Sequence, residues 1–440
     1  MADSHRTSGR SLSAIVALAI LSIGIVACGP PKDPDDETAA QRKIQVMASD
    51  GWVYDVVGEI AGLFEDESGI RVSFTIYAPH IYDRALQTML AAGEAPDIFL
   101  MQSTQWSLGT EIDPRACCLD LTDEEWVTRL KPHWLPAVTY EGRVYGLVIW
   151  DDNVGWVYTY NDALFSRLGL TEPTNTAEFF AVCERIRQAG IVPIYEPGAS
   201  RWHPALTFFE MGATFEQNDP GLYERLNRNR QTFAGYEPFL RVLDQILVAV
   251  NRGYFGSELM ANTIEGSRTA LVAGTAAMTL DKIGFARSVV AANPDSGAQS
   301  WGMFPIPWID NRTVSIERSA PTWFANAAGR DTDAVLEFFR YLTRQDNLDR
   351  YARQQPEGTS LSFQTDAATL LPNERSFLDS ANLGGEPIQG GVKYIMGQWM
   401  DIEADFEQMV AGAITPNRFL INLDERRANL ADAAGDPAWD

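Results

Sequence analysis

The chain has 440 residues, of which 45% are hydrophobic and 21% charged, and its formal net charge is −24. This is the composition of an ordinary globular protein, and the length allows two or three domains with sizeable cores. A chain this acidic repels polyphosphate backbones and anionic lipids, so we expect neither nucleic acid nor a lipid surface as a specific partner.

The N-terminal residues have the pattern of a secretion signal followed by a tether. A segment with two arginines precedes the apolar run Leu12–Val26, which is too short to span a bilayer comfortably. The run leads into Ile-Val-Ala-Cys-Gly, which resembles the bacterial lipoprotein signal, in which the cysteine becomes the lipidated first residue. We expect a lipoprotein signal over residues 1–28 and a lipid anchor at Cys28, outside the cytoplasmic membrane (the periplasmic side in a Gram-negative cell). The acidic, Pro-rich residues 29–43 are predicted to be a flexible tether; an uncleaved membrane anchor is the alternative for the signal.

Besides Cys28 the chain has three cysteines, an odd number that cannot all pair within one chain. Cys183 lies on the apolar face of a predicted helix and is expected in the core. Cys117 and Cys118 are expected to be two thiols, and a strained vicinal disulfide is the alternative. Without a C-x-x-C pair and with only four histidines, no metal site is indicated.

Strands and helices alternate after the tether. Short β-rich runs at Ile44–Ala48, Arg71–Tyr77 and Asp97–Met101 are separated by apolar residues at helical spacing over 56–64 and 82–90. This alternation indicates βαβ units and a mainly parallel sheet, in which ligands bind beyond the carboxyl ends of the strands. Those ends are Ser49–Trp52, Tyr77–His80 and Gln102–Trp106. No glycine-rich phosphate motif follows any of these strands, so no nucleotide cofactor is expected.

The stretch Val144–Leu170 predicts a crossing between two sheets. An apolar run up to Trp150 is followed by Asp151-Asp152-Asn153, and a second β-rich run, Trp156–Tyr160, then enters a helix. A polar triplet between two apolar strands is where a chain can leave one sheet and enter another. Farther on, Trp301–Trp308 has the Pro-rich, extended character of a return connection. The tail from Leu361 to Asp440 alternates loops and helices and is expected to pack on a lobe.

The order of these motifs resembles that of the extracellular solute-binding proteins of ABC importers, in particular the cluster that binds sugars and includes the maltose-binding proteins. The matching pieces extend from about Phe64 to Leu342 and include FEDESGIRV, LQTMLAAGEAPDIFLMQ, LTDEEW, the Val144–Leu170 stretch, LVAGTAAMTL, WGMFPIP and DAVLEFFRYLT. Two positions depart from the family pattern. Val148 replaces a common proline, and the sequence from Asp281 to Gly284 replaces the frequent Asn-Gly-Pro-Trp, so the exact sugar is not carried over.

The resemblance implies an α/β protein with the type II periplasmic-binding-protein fold, in which two lobes close on a ligand. Each lobe is expected to be a mainly parallel sheet flanked by helices, with a helical C-terminal tail. The predicted boundaries are 44–150 plus 308–360 for lobe 1, and 151–307 plus 361–440 for lobe 2.

Sugar rings have flat C–H faces, on which indoles stack well, and hydroxyl groups around the rim, with which carboxylates form strong hydrogen bonds. The candidate ligand-binding residues are those at strand ends, at the crossing or in aromatic loops: Trp52, Trp106, Asp151, Asp152, Trp156, Trp202, His203, Asp281, Lys282, Trp323, Tyr394 and Trp399. Structural alternatives stay open for several of them. Trp52 could staple a helix, the two crossing aspartates could be solvated, and His203 could be a core residue. Of Trp150 and Trp156 we expect one to point into a core and prefer Trp156 for the ligand.

The predicted function is that of a lipid-anchored, monomeric receptor that binds a mono- or oligosaccharide and delivers it to the transmembrane subunits of an ABC permease. It is not expected to be an enzyme or to hold a cofactor. One alternative is an extracellular glycoside hydrolase or lyase, but Asp151 and Asp152 are adjacent and would point to opposite faces of a strand. A second alternative is the ligand-binding component of a sensory system.

Overall fold

Two β-sheets organise the computed structural model. It describes residues 42–150, 155–354, 360–365 and 370–439. The predicted signal, most of the predicted tether and the candidate residues Asp151 and Asp152 lie outside the described residues. Within the described ranges, no helix is both long enough and apolar enough to cross a membrane.

The two sheets have the strand orders β2-β1-β3-β12-β6 and β10-β7-β9-β8, and β4-β5 and β11-β13 form two short ribbons. The strands are β1 (Lys43–Ser49), β2 (Arg71–Tyr77), β3 (Ile98–Ser103), β4 (Thr139–Tyr140), β5 (Arg143–Val144), β6 (Gly146–Val148), β7 (Trp156–Tyr160), β8 (Val192–Tyr195), β9 (Ala276–Lys282), β10 (Gly302–Pro305), β11 (Thr313–Val314), β12 (Ala320–Ala325) and β13 (Asn382–Leu383).

The strand directions divide by how the chain reaches each strand. In the first sheet β1 pairs in parallel with β2 and β3, and in the second β8 pairs in parallel with β9. The pairs β12–β3, β12–β6, β7–β9 and β7–β10 are antiparallel. A crossover helix returns the chain to the end of the sheet where the previous strand began, so the next strand runs parallel to it. The strands β7 and β12 instead enter directly from the other sheet, and they run antiparallel to their neighbours. The predicted α/β two-sheet fold is confirmed, with more antiparallel pairing than the sequence indicates.

Helices cover the sheets. They are α1 (Asp55–Ser68), α2 (Pro79–Ala92), α3 (Ser107–Thr110), α4 (Pro114–Cys117), α5 (Leu135–Val138), α6 (Asp162–Leu168), α7 (Thr176–Gln188), α8 (Leu206–Phe209), α9 (Gly212–Asn218), α10 (Leu222–Asn227), α11 (Glu237–Asn251), α12 (Ile264–Ala273), α13 (Phe285–Ala292), α14 (Thr332–Leu342), α15 (Gln345–Gln354), α16 (Pro372–Ser380), α17 (Ile388–Gly391), α18 (Trp399–Val410) and α19 (Pro416–Ala434). Short 3-10 helices lie at Glu125–Arg129, Pro132–Trp134, Ala298–Ser300, Trp308–Asp310 and Met396–Gln398.

Helix α1 shows how the sequence builds these layers. Apolar residues at helical spacing, among them Val56, Ile60 and Phe64, are buried against the first sheet. Phe64 also meets Phe338 of α14, with ring centroids 5.2 Å apart. The helix ends at Gly69, whose φ of 72° is the left-handed conformation that glycine adopts most easily.

The cysteines follow the sequence expectation. Cys183 is fully buried on α7, which confirms its place in the core. Cys117 and Cys118 are both free thiols, with their Sγ atoms 3.4 Å apart.

Two connections carry the chain between the sheets. The first runs from the end of β6 at Val148 to Trp156 at the start of β7, and the second runs from β10 at Pro305 to β12 at Ala320. Described residues of both connections, such as Trp150 and Glu317, border the same space as the carboxyl ends of β1 and β3. That space is the candidate site.

Candidate ligand-binding site

A cavity of about 240 Å³ lies between the two sheets. Its lining includes five indoles: Trp52, Trp150, Trp156, Trp202 and Trp399. Four carboxyl groups and one amine also border it: Asp50, Asp83, Glu111, Glu317 and Lys282. Aromatic faces interspersed with a few polar groups are the usual lining of a small-molecule site.

The indoles are braced by other aromatic rings. Trp52 follows β1 and meets Tyr82 edge to face, with centroids 5.0 Å apart. Trp150 stacks on Tyr54 at 5.4 Å and an interplanar angle of 14°. Trp156, the first residue of β7, meets Trp202 at 6.1 Å. Such contacts restrict ring rotation, so the apolar wall is largely formed before a ligand arrives.

Lys282 connects the aromatic wall with the acids. It is the last residue of β9 and pairs with Trp156 in the sheet register. Its Nζ lies 5.2 Å from the ring centroid of Trp150 and 6.0 Å from that of Trp156, within the range of a cation–π interaction. The same charge lowers the pKa of Glu317 and partly offsets the burial that raises it. A hydrogen bond that Ser319 donates to Glu317 acts in the same direction as the lysine.

Two further acids lie on the side of the first sheet. Burial raises the pKa of Glu111 to about 8, although Ser107 donates a hydrogen bond to its carboxylate at 3.1 Å. Asp83 on α2 has its pKa raised to about 6. Its side chain is solvent-accessible, but it lies in the concave wall of the cavity, where protein atoms displace part of its hydration. At neutral pH the wall therefore contains both proton donors and acceptors.

The structure brings several predicted site residues together in the cavity wall: Trp52, Trp156, Trp202, Lys282 and Trp399. Trp150 lies there too, whereas the sequence led us to expect that only one of Trp150 and Trp156 would. The reason is that β6 ends at Val148, so strand alternation no longer governs the residue at 150.

Other candidates lie away from the cavity. Trp106 borders a separate groove and donates from Nε1 to the Gly391 carbonyl at 3.1 Å. Trp323 of β12 is buried among Phe74 and Phe338, in the core of the first sheet. Tyr394 donates a hydrogen bond to Asp436 at 2.9 Å.

His203 and Asp281 lie behind the wall. The ring of His203 is 2% exposed, and its Nδ1 is 2.5 Å from Oε1 of Glu196. Asp281 is also buried and accepts a hydrogen bond from the backbone N–H of Lys282 at 2.7 Å. Neither side chain reaches the lining of the cavity.

Sequence reasoning did not find Asp83, Glu111 and Glu317. Asp83 lies one turn into α2, just after the predicted strand end at Tyr77–His80, and could have been found by extending that end into the helix. Glu317 lies on the return connection between β10 and β12, where a crossing was expected near Pro307. Glu111 follows the irregular helix α3 and carries no comparable signal.

Comparison with known proteins assigns the family. The family described as bacterial extracellular solute-binding protein matches residues 59–367, well over half of the chain. The protein belongs to the bacterial extracellular solute-binding proteins. Members of this family are binding proteins that act outside the cytoplasm, and the cavity between the two sheets is the natural place for a solute in this member.

Individual relatives are more distant. The diacetylchitobiose binding protein DasA of Streptomyces coelicolor is 26% identical over 209 residues, 44% of this chain and 47% of that protein. The chain thus matches about half the length of this curated relative. A chitin oligosaccharide binding protein has a TM-score of 0.73 at 17% identity, covering 89% of this chain and 99% of that one. A sugar transporter of Bacillus licheniformis in complex with stachyose has a TM-score of 0.67 at 16% identity, covering 88% and 100%. At these identities the solved structures establish the shared two-lobe fold.

Proposed function

We propose that this solute-binding protein captures an oligosaccharide between its two lobes and delivers it to the transmembrane subunits of an ABC permease. The observation that carries the proposal is the set of five indoles and four carboxyl groups on one cavity between two sheets. Indoles stack on the C–H faces of sugar rings, and carboxyl groups form hydrogen bonds with the hydroxyls around them.

The relatives support the same class of ligand. DasA binds diacetylchitobiose by its name, a second neighbour binds chitin oligosaccharides, and a third holds stachyose. All three ligands have at least two sugar rings, which agrees with indoles on several sides of the cavity. We therefore propose an oligosaccharide in preference to a monosaccharide, with N-acetylated sugars tested first.

The remaining parts of the proposal concern anchoring and assembly. We propose that a lipid on Cys28 tethers the protein to the membrane and that it acts as a monomer. Lobe 1 would comprise residues 44–150 and 308–360, and lobe 2 residues 151–307 and 361–440. Incorporation of labelled palmitate into the wild-type protein and its absence in Cys28→Ser would support the anchor, and equal labelling of both would refute it.

A sugar panel tests the ligand. Diacetylchitobiose, longer chitin oligosaccharides, stachyose and monosaccharides are added separately in a thermal-unfolding assay, with amino acids and short peptides as negative controls. A true ligand raises the unfolding temperature because it binds only the folded state, and at 100 times its Kd it adds about 2.7 kcal/mol to the free energy of unfolding. If no carbohydrate has this effect while a peptide or amine does, the sugar assignment is wrong.

A matched pair of variants locates the site. Trp202 and Trp106 are both partly exposed indoles, but only Trp202 lines the cavity. Trp202→Ala should weaken binding of the sugar found in the panel by at least about tenfold, since a stacked indole is commonly a dominant contact. Trp106→Ala should leave the Kd unchanged. The reverse pattern, measured by titration calorimetry, would move the site to the other groove.

A further inference from the structure

A histidine and a glutamate lie directly behind two of the cavity indoles. The imidazole of His203 is 5.3 Å from the Trp156 ring and 5.5 Å from the Trp202 ring, with interplanar angles of 75° and 65°. Its Nδ1 contacts Glu196 at 2.5 Å, and both side chains are at most 5% exposed. The pair therefore supports the wall without facing the ligand space.

The ring has one carboxylate partner, because Nδ1 lies 2.5 Å from Oε1 of Glu196. Both groups are buried, so the negative charge of Glu196 favours the doubly protonated form of the imidazole.

The loop that carries Trp202 is also held from the opposite side by one face of α18. Trp399, Glu403 and Glu407 are spaced four residues apart and so share a helix face. Trp399 donates from Nε1 to the Trp202 carbonyl at 3.0 Å, and Glu403 accepts from the backbone N–H of Ala205 at 3.0 Å. Glu407 forms two 2.9 Å contacts with the guanidinium of Arg201. Helix α18 thus holds the 201–205 loop through three residues, and His203 attaches the same loop to Glu196 and Trp156.

We propose that His203, held as an imidazolium by Glu196, is the positioning residue that fixes Trp156 and Trp202 in the cavity wall, so that ligand affinity falls when the ring loses its proton. The affinity part of this inference rests on the proposed function. The positioning part concerns only the unliganded protein.

Several charged groups bear on the ring. Burial lowers the pKa of His203, but the charges of Glu196 and Asp281 raise it by more in total, so the net pKa lies above the usual 6.5. Glu403 faces Glu196 and Glu407, and its own pKa lies well above the ordinary range because it is buried. Arg201 is paired with Glu407, and Lys282 lies over the indoles on the cavity side. Loss of the imidazolium is therefore expected above pH 6.5, and the titration of Glu403 must be separated from it.

The test follows the indole N–H signals of the unliganded protein by ¹⁵N NMR between pH 5 and 10, with Trp156 and Trp202 assigned by Trp→Phe variants. In the wild type both signals should shift with one midpoint above pH 6.5, equal to that of the His203 ring. His203→Gln keeps a donor for Glu196 but cannot titrate, so the midpoint should disappear. Glu196→Gln should lower it by about 1–3 pH units, because a close opposite charge is lost. His133→Gln, which changes an exposed histidine of the first lobe, should leave it unchanged.

Two results would overturn the proposal. The first is a wild-type protein whose Trp156 and Trp202 signals do not titrate, and the second is a midpoint that survives in His203→Gln, as titration of Glu403 would produce. With a sugar from the panel, the wild-type Kd should rise at least about fivefold across the midpoint, while His203→Gln shows no such step. If the signals titrate as expected but no sugar binds, the proposed function fails and the positioning role stands. If a sugar binds without any pH step, the positioning role does not extend to affinity.

Discussion

Among the described residues that line the cavity, Lys282 is the one cation, and it acts on two kinds of neighbour. It lies over the rings of Trp150 and Trp156, and its charge lowers the pKa of Glu317. A sugar ring stacked on either indole would share the aromatic face with this amine. The residue therefore sets both the charge and the shape of that side of the cavity.

Replacing Lys282 by methionine should raise the pKa of Glu317 further, because the positive charge that partly offsets the effect of burial is then removed. Lys282→Arg keeps the charge and should return the pKa of Glu317 close to its wild-type value. Carboxyl ¹³C chemical shifts, followed against pH with Glu317→Gln to assign the signal, measure both variants. An unchanged titration of Glu317 in Lys282→Met would show that the lysine charge does not reach this acid.

The sequence predicted the types of residue that form the site, but it predicted less well which individual side chains line the cavity. Trp52 was found because it follows a strand that the apolar pattern locates well, Trp156 because it flanks the predicted crossing, and Lys282 because it stands where the family often has Asn-Gly-Pro-Trp. Trp323 was also a candidate, but its strand presents it to the helix layer, where it meets Phe338. Which face of a strand looks into the cavity depends on how the two sheets are placed, and local sequence does not encode that.

At the scale of secondary-structure elements, the sequence predicted the positions of strands and helices well where these depend on local backbone preferences. The strands β1, β2 and β3 lie within two residues of their predicted positions, and the predicted helical residues 56–64 and 82–90 fall inside α1 and α2. Their stop signals are glycines that adopt positive φ, as at Gly69 and Gly93. The antiparallel entry of β7 and β12 was not predicted, because strand direction follows from the route of the chain and not from periodicity.

Helix α1 provides a matched pair of glycines that tests this rule. Gly62 lies inside the helix and Gly69 caps it with φ of 72°, and a Cβ at either position would meet no atom within 4 Å. Gly62→Ala should stabilise the protein by about 1 kcal/mol through helix propensity. Gly69→Ala should destabilise it by about 1 kcal/mol, since alanine resists the left-handed conformation. Urea unfolding midpoints measure both, and equal signs for the two variants would contradict the backbone explanation.

At the scale of the whole molecule, an unusual set of acids favours the protonated form. Glu210 and Glu403 are 3% and 1% exposed, and burial raises the pKa of each well above the ordinary value. Glu111 at the cavity has its pKa raised to about 8 for the same reason. Surface acids behave in the opposite way: the Arg42 guanidinium lowers the pKa of Asp331 to about 2. The buried acids therefore govern how stability changes at neutral and alkaline pH, and the paired surface acid governs how it changes at acid pH.

The free energy of unfolding should therefore be greatest near pH 5 and decline through pH 8. For Glu111, whose pKa is higher in the folded state than in the unfolded chain, the stabilisation is complete below pH 4.5 and disappears as the pH rises towards 8. For Asp331 it is complete above about pH 4 and disappears as the pH falls towards 2. Self-repulsion at a net charge of −24 adds to the alkaline decline and should weaken with added salt. Urea unfolding from pH 4 to 9 measures the curve, and Glu111→Gln should flatten its alkaline side; stability that rises from pH 5 to 8 would refute the assignment of these buried acids.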